Sequence, residues 1–326
     1  MNQERFERLH QAQWQQLEQW LEARRARGRH KGGDEETTAA FPHLYRQVCH
    51  HLALARERRY SNHLVERLNK LALEGHTQLY RSRTGVLVRI MRFILVGFPV
   101  AVRREARLFW LAALLFCGPL AAMWVAAQQS PDLAYSVMSP AQTRQYEQMY
   151  SPERKVLGRK READSNFMMF GVYIRNNISI GFQTFAGGLL FGLGTLFYLL
   201  FNGVVIGTVA GHLTHLGYID TFYTFVVGHS AFELTAIVLS GAAGLKLGLA
   251  LVRPGRRSRL RALREAAAVS VQLVYGVILF LVIAAFIEAF WSSTTAFAPE
   301  IKYFVGAVLW LTVISYLLLA GRGHEA

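Results

Sequence analysis

The chain has 326 residues, 52% of them hydrophobic, and a formal net charge of +14 at pH 7. Residues 1–107 hold 20 of the 36 Lys+Arg and 11 of the 22 Asp+Glu, whereas from residue 167 onward there are only six acids: Asp220, Glu233, Glu265, Glu288, Glu300 and Glu325. Uncharged runs of roughly 20 residues are long enough to cross a bilayer, which excludes a water-soluble globule, and two cysteines, Cys49 and Cys117, exclude a disulfide framework.

The opening residues lack the apolar core of a secretory signal, which predicts a cytoplasmic N-terminus. Residues 1–84 are expected to form a cytoplasmic amphipathic helical region. The first helix, 2–26, places Phe6, Leu9, Leu17, Trp20 and Leu21 near one face, and 27–38 reads as a polar linker. A second helix after Pro42 aligns Leu44, Val48, Leu52 and Ala55. A third, capped by Ser61, aligns Leu64, Leu68 and Leu71. His43, His50, His51, His63 and His76 on these helices are expected to be solvated.

Residues 85–326 are expected to form the membrane domain. Residues 86–98 predict an interfacial helix whose arginines reach for headgroups. Spans follow near 108–127, 167–187, 189–215, 221–250, 267–290 and 303–320, with five rather than six as the nearest alternative. The apolar stretch 167–216 is interrupted by Arg175-Asn176-Asn177 and by a glycine-rich segment, so it folds as two passes or as one pass with a re-entrant piece. The arginine-rich loop at 253–265 belongs in the cytoplasm by the positive-inside rule, and the polar loop 128–166 belongs outside. The fold class is therefore all-α: a polytopic helical membrane protein with both termini expected in the cytoplasm. Arg89, Arg92, Arg103, Arg104, Arg107, Arg253, Arg256 and Arg257 are expected to meet anionic lipid headgroups, at roughly 1 kcal/mol each near the surface. Topology thus accounts for the basic charge, and no nucleic acid is expected.

Charge at membrane depth is costly and needs a partner. The run 228–248 is apolar except for His229, Glu233 and Lys246, and His229 and Glu233 share a helical face. Arg175 is the natural counter-ion, which predicts a buried polar cluster of Arg175, His229 and Glu233 with Asn176, Asn177, Asn202 and Glu288 nearby. Three uses are open: hydrogen-bond glue between helices, a proton or ion path, or a metal site to which His212 and His215 could add ligands. The spacing matches no established metal motif, and HExxH, GxSxG and Walker A sequences are absent, so no metal, cofactor or catalytic residue is expected. Gly203, Gly207 and Gly211 form a GxxxGxxxG run, and Gly188, Gly192, Gly241, Gly244 and Gly248 extend the small-residue faces. Such faces serve either packing within one chain or a homodimer interface.

The segments "FPVAVRREARLF", "NNISIGFQTFAGGLLFGLGTLFYLLFNGVVIG", "GHSAFELTAIVLSGAAGLKLG" and "IAAFIEAFWSS" together resemble the stage II sporulation protein M (SpoIIM) family over about residues 85–320. The match is most specific at Asn202-Gly203, His229, Glu233, Gly241, Gly244 and Glu288. The resemblance implies a membrane anchor for cell-envelope partners, including peptidoglycan-degrading proteins in sporulating relatives and MoxR-type ATPase systems elsewhere. It brings no settled enzymatic activity or catalytic residue with it and does not by itself imply sporulation. Two roles follow: an oligomeric scaffold with membrane lipids and envelope proteins as partners, or a transporter or channel for ions, lipid or a small solute using Arg175, His229, Glu233 and Glu288.

Overall fold

The structure, a computed structural model, describes residues 1–26, 35–79, 85–153, 166–294 and 296–323. Among these residues the chain is helical and forms no strand. It divides into two compact units, Met1–Val86 and Leu87–Ala326.

The first unit comprises α1 (Gln3–Ala26), α2 (Glu35–Glu57) and α3 (Asn62–Leu79). Its core joins Phe6, Trp14, Leu17 and Leu21 of α1 to Phe41, Leu44, Val48 and Ala55 of α2 and to Leu64, Leu68 and Leu71 of α3. Apolar residues three and four apart make this stripe, and none of the helices could bury it alone. Leu9, expected in the stripe, is 58% exposed, while Trp14 takes the central place. Part of the expected linker lies outside the described residues, and its last four residues, 35–38, already belong to α2, which carries Pro42 inside it. Arg67 clamps Glu18 with two hydrogen bonds, at 3.1 and 3.0 Å, and its guanidinium stands over the Trp14 ring.

The second unit opens with α4 (Val86–Arg92), a wider π-type turn over Phe93–Gly97, and α5 (Phe98–Arg104). α4 exposes Val86, Leu87, Val88 and Ile90, the apolar face an interfacial helix needs. The expected end of this helix at residue 98 is displaced. Pro99 sits in the first turn of α5, which continues the helical backbone of the π turn, and the Tyr316 hydroxyl donates to the Ile94 carbonyl of that turn; residues 98–102 are buried. Phe98 fills the notch left by Gly276.

Glu105 separates α5 from α6 (Ala106–Gln129). The polar loop then carries α7 (Leu133–Val137) and α8 (Pro140–Tyr150), the latter started by a capping box between Ser139 and Gln142. Four more long helices precede the last: α9 (Asn166–Ala186), α10 (Leu193–His215), α11 (Ile219–Val252) and α12 (Arg259–Ile287), with a π-type turn over Glu288–Ser292. α13 (Pro299–Leu319) closes the bundle.

Among the described residues, five helices are long and apolar enough, by length and composition, to cross a membrane: α6, α10, α11, α12 with its π turn, and α13. α9 is not among them, although it occupies the expected second span; Arg175-Asn176-Asn177 dilutes its apolar character. It nevertheless lies in the chain between two helices that pack in parallel. Gly203, Gly207 and Gly211 of α10 lie in order against Phe116, Leu120 and Trp124 of α6, so these two helices run parallel, and the chain must come back between them.

α11 is the centre of the unit, packed by α6, α9, α10, α12 and α13. The close contacts come from glycine. A Cβ on Gly207 would stand 2.3 Å from the Leu120 carbonyl oxygen, and one on Gly188 would stand 2.1 Å from that of Gly244. The α9–α10 connection turns through a 3-10 segment, Gly187–Leu189, to Gly192 at φ +85°, which caps α10 in the left-handed region. All eight singled-out glycines except Gly192 (3.6 Å) and Gly241 meet neighbouring backbone this closely, and Gly241 meets the Leu199 side chain.

A buried histidine–glutamate site at the head of the central helix

The site forms where α11 meets the π turn after α12. His229 and Glu233 stand one helical turn apart, so both side chains leave α11 on the same side. Glu288 enters from the start of the π turn, and Ser292 from its end. One nitrogen of His229 and one oxygen from each of Glu233 and Glu288 lie within 4.8 Å of one another. His229 Nε2 is 3.6 Å from Glu233 Oε2, too long for a hydrogen bond. The other ring nitrogen, Nδ1, is 3.0 Å from Ser292 Oγ, which fixes the imidazole plane. The imidazole edge also meets the Phe225 ring.

The π turn is itself held. Lys302 of α13 is 2% exposed, and its ammonium donates to the carbonyls of Ser292 at 3.0 Å and Thr294 at 2.5 Å. These are carbonyls that the end of the helix leaves without an internal partner. Tyr150, the last residue of α8, is buried within reach of the same carboxylates. Burial raises its phenol well above the ordinary value, and the charges of Glu288 and Glu233 act in the same direction. Its backbone carbonyl accepts from Thr221 Oγ1 at 2.6 Å.

Of the expected cluster, the structure brings His229, Glu233 and Glu288 together and places the other residues elsewhere. Arg175 is exposed on the outer face of α9 and makes no ion pair among the described residues. Asn202 is only half-buried and returns its amide to Tyr198 O of its own helix at 2.7 Å. Asn177 is buried, and Asn176 Nδ2 donates to Asn177 Oδ1 at 3.1 Å. His212 bonds Glu147 of α8 at 2.9 Å, and His215 bonds the Gln128 carbonyl at the end of α6 at 3.0 Å. Those two histidines tie α10 to α8 and to the end of α6 and do not join His229. Lys246 pairs with Glu105 at 2.5 Å at the other end of α11.

Of the arginines expected at headgroups, Arg89, Arg92, Arg104, Arg107, Arg253, Arg256 and Arg257 are exposed. Arg257 also pairs with Glu265. Arg103 departs from the expectation: its guanidinium donates to the carbonyls of Leu317 and Ala320, both at 2.7 Å, and so caps α13. Sequence reasoning did not find Ser292, Lys302 or Tyr150, because each acts through an element distant in the chain. Lys302, beside the loop residues, carried the one available signal: a lysine inside the first turn of an apolar helix.

Apolar helices wrapped around one central helix, with ionisable groups gathered where three of them meet, define a polytopic α-helical membrane protein. The chain belongs to the SpoIIM family, described as Stage II sporulation protein M, which matches residues 111–293 and so includes His229, Glu233 and Glu288. A second family, a domain of unknown function (DUF8413), matches residues 4–81, the three-helix unit. The chain is also 30% identical over 79 residues to Uncharacterized protein MJ0793 of Methanocaldococcus jannaschii. That alignment covers 24% of this chain and 44% of the relative, so the chain spans less than half of that protein's length. No solved structure matches.

Proposed function

We propose that this protein is an oligomeric scaffold of the bacterial inner membrane that anchors cell-envelope partners. The observation that carries this reading is the outer face of α9. Met168, Gly171, Val172, Arg175, Ser179, Phe182 and Gln183 all fall on one side of this helix and all are exposed. Arg175 lies about 15 Å from either end of α9 at 1.5 Å per residue, too deep for its side chain to reach water easily. A charged face at that depth is expensive against acyl chains. A second copy supplies hydroxyl, amide and backbone acceptors at the level of the guanidinium, and Ser179 and Gln183 are already within 3.4 Å of each other on this face.

The rest of the bundle supports a static core. α11 is enclosed by five helices and closed along its length by glycine contacts. The three-helix unit, with its own core, is the module we assign to cytoplasmic partners; α7 and α8 are the segments we assign to partners outside.

Ser179→Cys in the full-length protein, reconstituted in nanodiscs, tests the reading. Crosslinking between copies and a native mass of two or more chains is the expected result. A strictly monomeric particle with residue 179 open to lipid-phase quenchers would overturn it. A transport role draws on His229, Glu233 and Glu288 at membrane depth. Cysteines at 233 and 288 labelled by water-soluble reagents from both sides of the membrane would favour transport over the scaffold.

A further inference from the structure

We propose that His229, Glu233 and Glu288 bind one divalent first-row transition-metal ion, with zinc the best match. The donors are one imidazole nitrogen and two carboxylate oxygens within 4.8 Å of one another. Metal–ligand bonds of about 2.0–2.2 Å in a tetrahedron put neighbouring ligand atoms about 3.4 Å apart. His229 Nε2 and Glu233 Oε2 are 3.6 Å apart. That separation is too long for a hydrogen bond and matches the edge of such a tetrahedron.

The shell behind the donors fits as well. A ligating histidine ordinarily uses its second nitrogen to hold the ring in place. Here Nδ1 meets Ser292 Oγ at 3.0 Å. With Nδ1 donating, Nε2 presents its lone pair toward the carboxylates. Nε2 makes no hydrogen bond to a described side chain, although His229 is only 5% exposed. Ser292 is in turn fixed through its carbonyl by Lys302. A divalent cation would balance the charge of two carboxylates gathered inside an apolar bundle. One nitrogen with two oxygens suits zinc, and iron(II) or manganese(II) less well, over the all-oxygen ligation of magnesium or calcium. Three protein ligands leave a fourth position for water or an exchangeable group. Glu233, with 20% of its side chain exposed, is the open side of the site.

The full-length protein in detergent, stripped with chelator, is titrated with zinc and separately with cobalt(II). The expected result is one equivalent bound per chain, a tetrahedral cobalt absorption band and a thermal midpoint raised by several degrees. His229→Gln and Glu288→Gln, both close in volume, weaken zinc binding by at least about a hundredfold, and Ser292→Ala by about ten- to a hundredfold. His215→Gln leaves it unchanged. X-ray absorption at the zinc edge of the wild-type chain needs no variant. It shows one imidazole in a shell of nitrogen and oxygen if the assignment holds. Two or more imidazoles or any sulfur in that shell, retention of zinc by His229→Gln, or a stripped wild-type chain that takes up neither ion would overturn it. The last result would mean that the carboxylates share a proton instead.

Discussion

At the residue scale, burial reverses what residue type suggests. His51 belongs to the group of histidines expected in solvent, and the other four, His43, His50, His63 and His76, are exposed. His51 is instead 5% exposed; its Nδ1 accepts from Trp14 Nε1 at 3.1 Å, and its ring lies 3.9 Å from that of His10. Burial first, then the neighbouring His10 and His50, lower its pKa to about 4 from 6.5. A depressed histidine leaves the folded state with fewer bound protons than the unfolded state in this window, so stability rises with pH there. The three-helix unit should therefore be fully stable above about pH 6.5 and lose stability progressively as pH falls toward 4, since protonating Nδ1 also breaks the Trp14 bond. Thermal unfolding of a 1–86 fragment across that range checks this. His51→Asn, whose amide oxygen can take the place of Nδ1 as acceptor, should flatten the dependence.

The arginines make the same point. Nothing in the composition separates Arg103 from Arg104 and Arg107, yet Arg103 alone turns back onto the carbonyls of Leu317 and Ala320. Arg103→Gln should lower the stability of the purified membrane protein by about 2 kcal/mol through loss of charge-assisted bonds, read as a drop in thermal midpoint in detergent. Arg107→Gln, with its exposed side chain, should leave the midpoint unmoved.

At the scale of elements, the glycine faces were visible in the sequence, but what they pack against was not. A spacing of four marks a smooth ridge on a helix, and any smooth partner satisfies it. The structure seats Gly203, Gly207 and Gly211 on α6 of the same chain. Gly207→Val should cost about 1–3 kcal/mol by overpacking, measured by unfolding in mixed micelles, because the Leu120 backbone cannot step aside. Gly118→Ala, where no atom lies within 4 Å of the added carbon, should cost nothing measurable. α9 shows the opposite limit. Its polar triplet argued for a buried cluster, yet a helix has two sides: Asn177 faces inward while Arg175 faces outward. Periodicity separates the two faces but does not say which one meets protein.

At the scale of the whole molecule, parallel packing of α6 and α10 bears on the choice between five and six passes. If α9 crosses the bilayer, the loop after α6 and the arginine loop before α12 lie on opposite sides. Gln145→Cys and Arg256→Cys should then be labelled by impermeant reagents from opposite faces of oriented vesicles. Labelling of both from one face would remove α9 from the count of spans.

Apolar length and charge distribution determined the class of this protein, because the penalty for leaving backbone and charge in lipid is large enough to be legible residue by residue. They also placed His229 and Glu233 on one helical face, since four residues on a helix bring side chains to one place. Glu288 was expected nearby from its place in an apolar run, but its seat beside them, and the presence of Ser292 and Lys302, were decided only by tertiary structure. Their meeting depends on how a π turn after α12 and the first turn of α13 pack on α11, and packing between helices is set by surfaces that are contiguous in space and scattered along the chain.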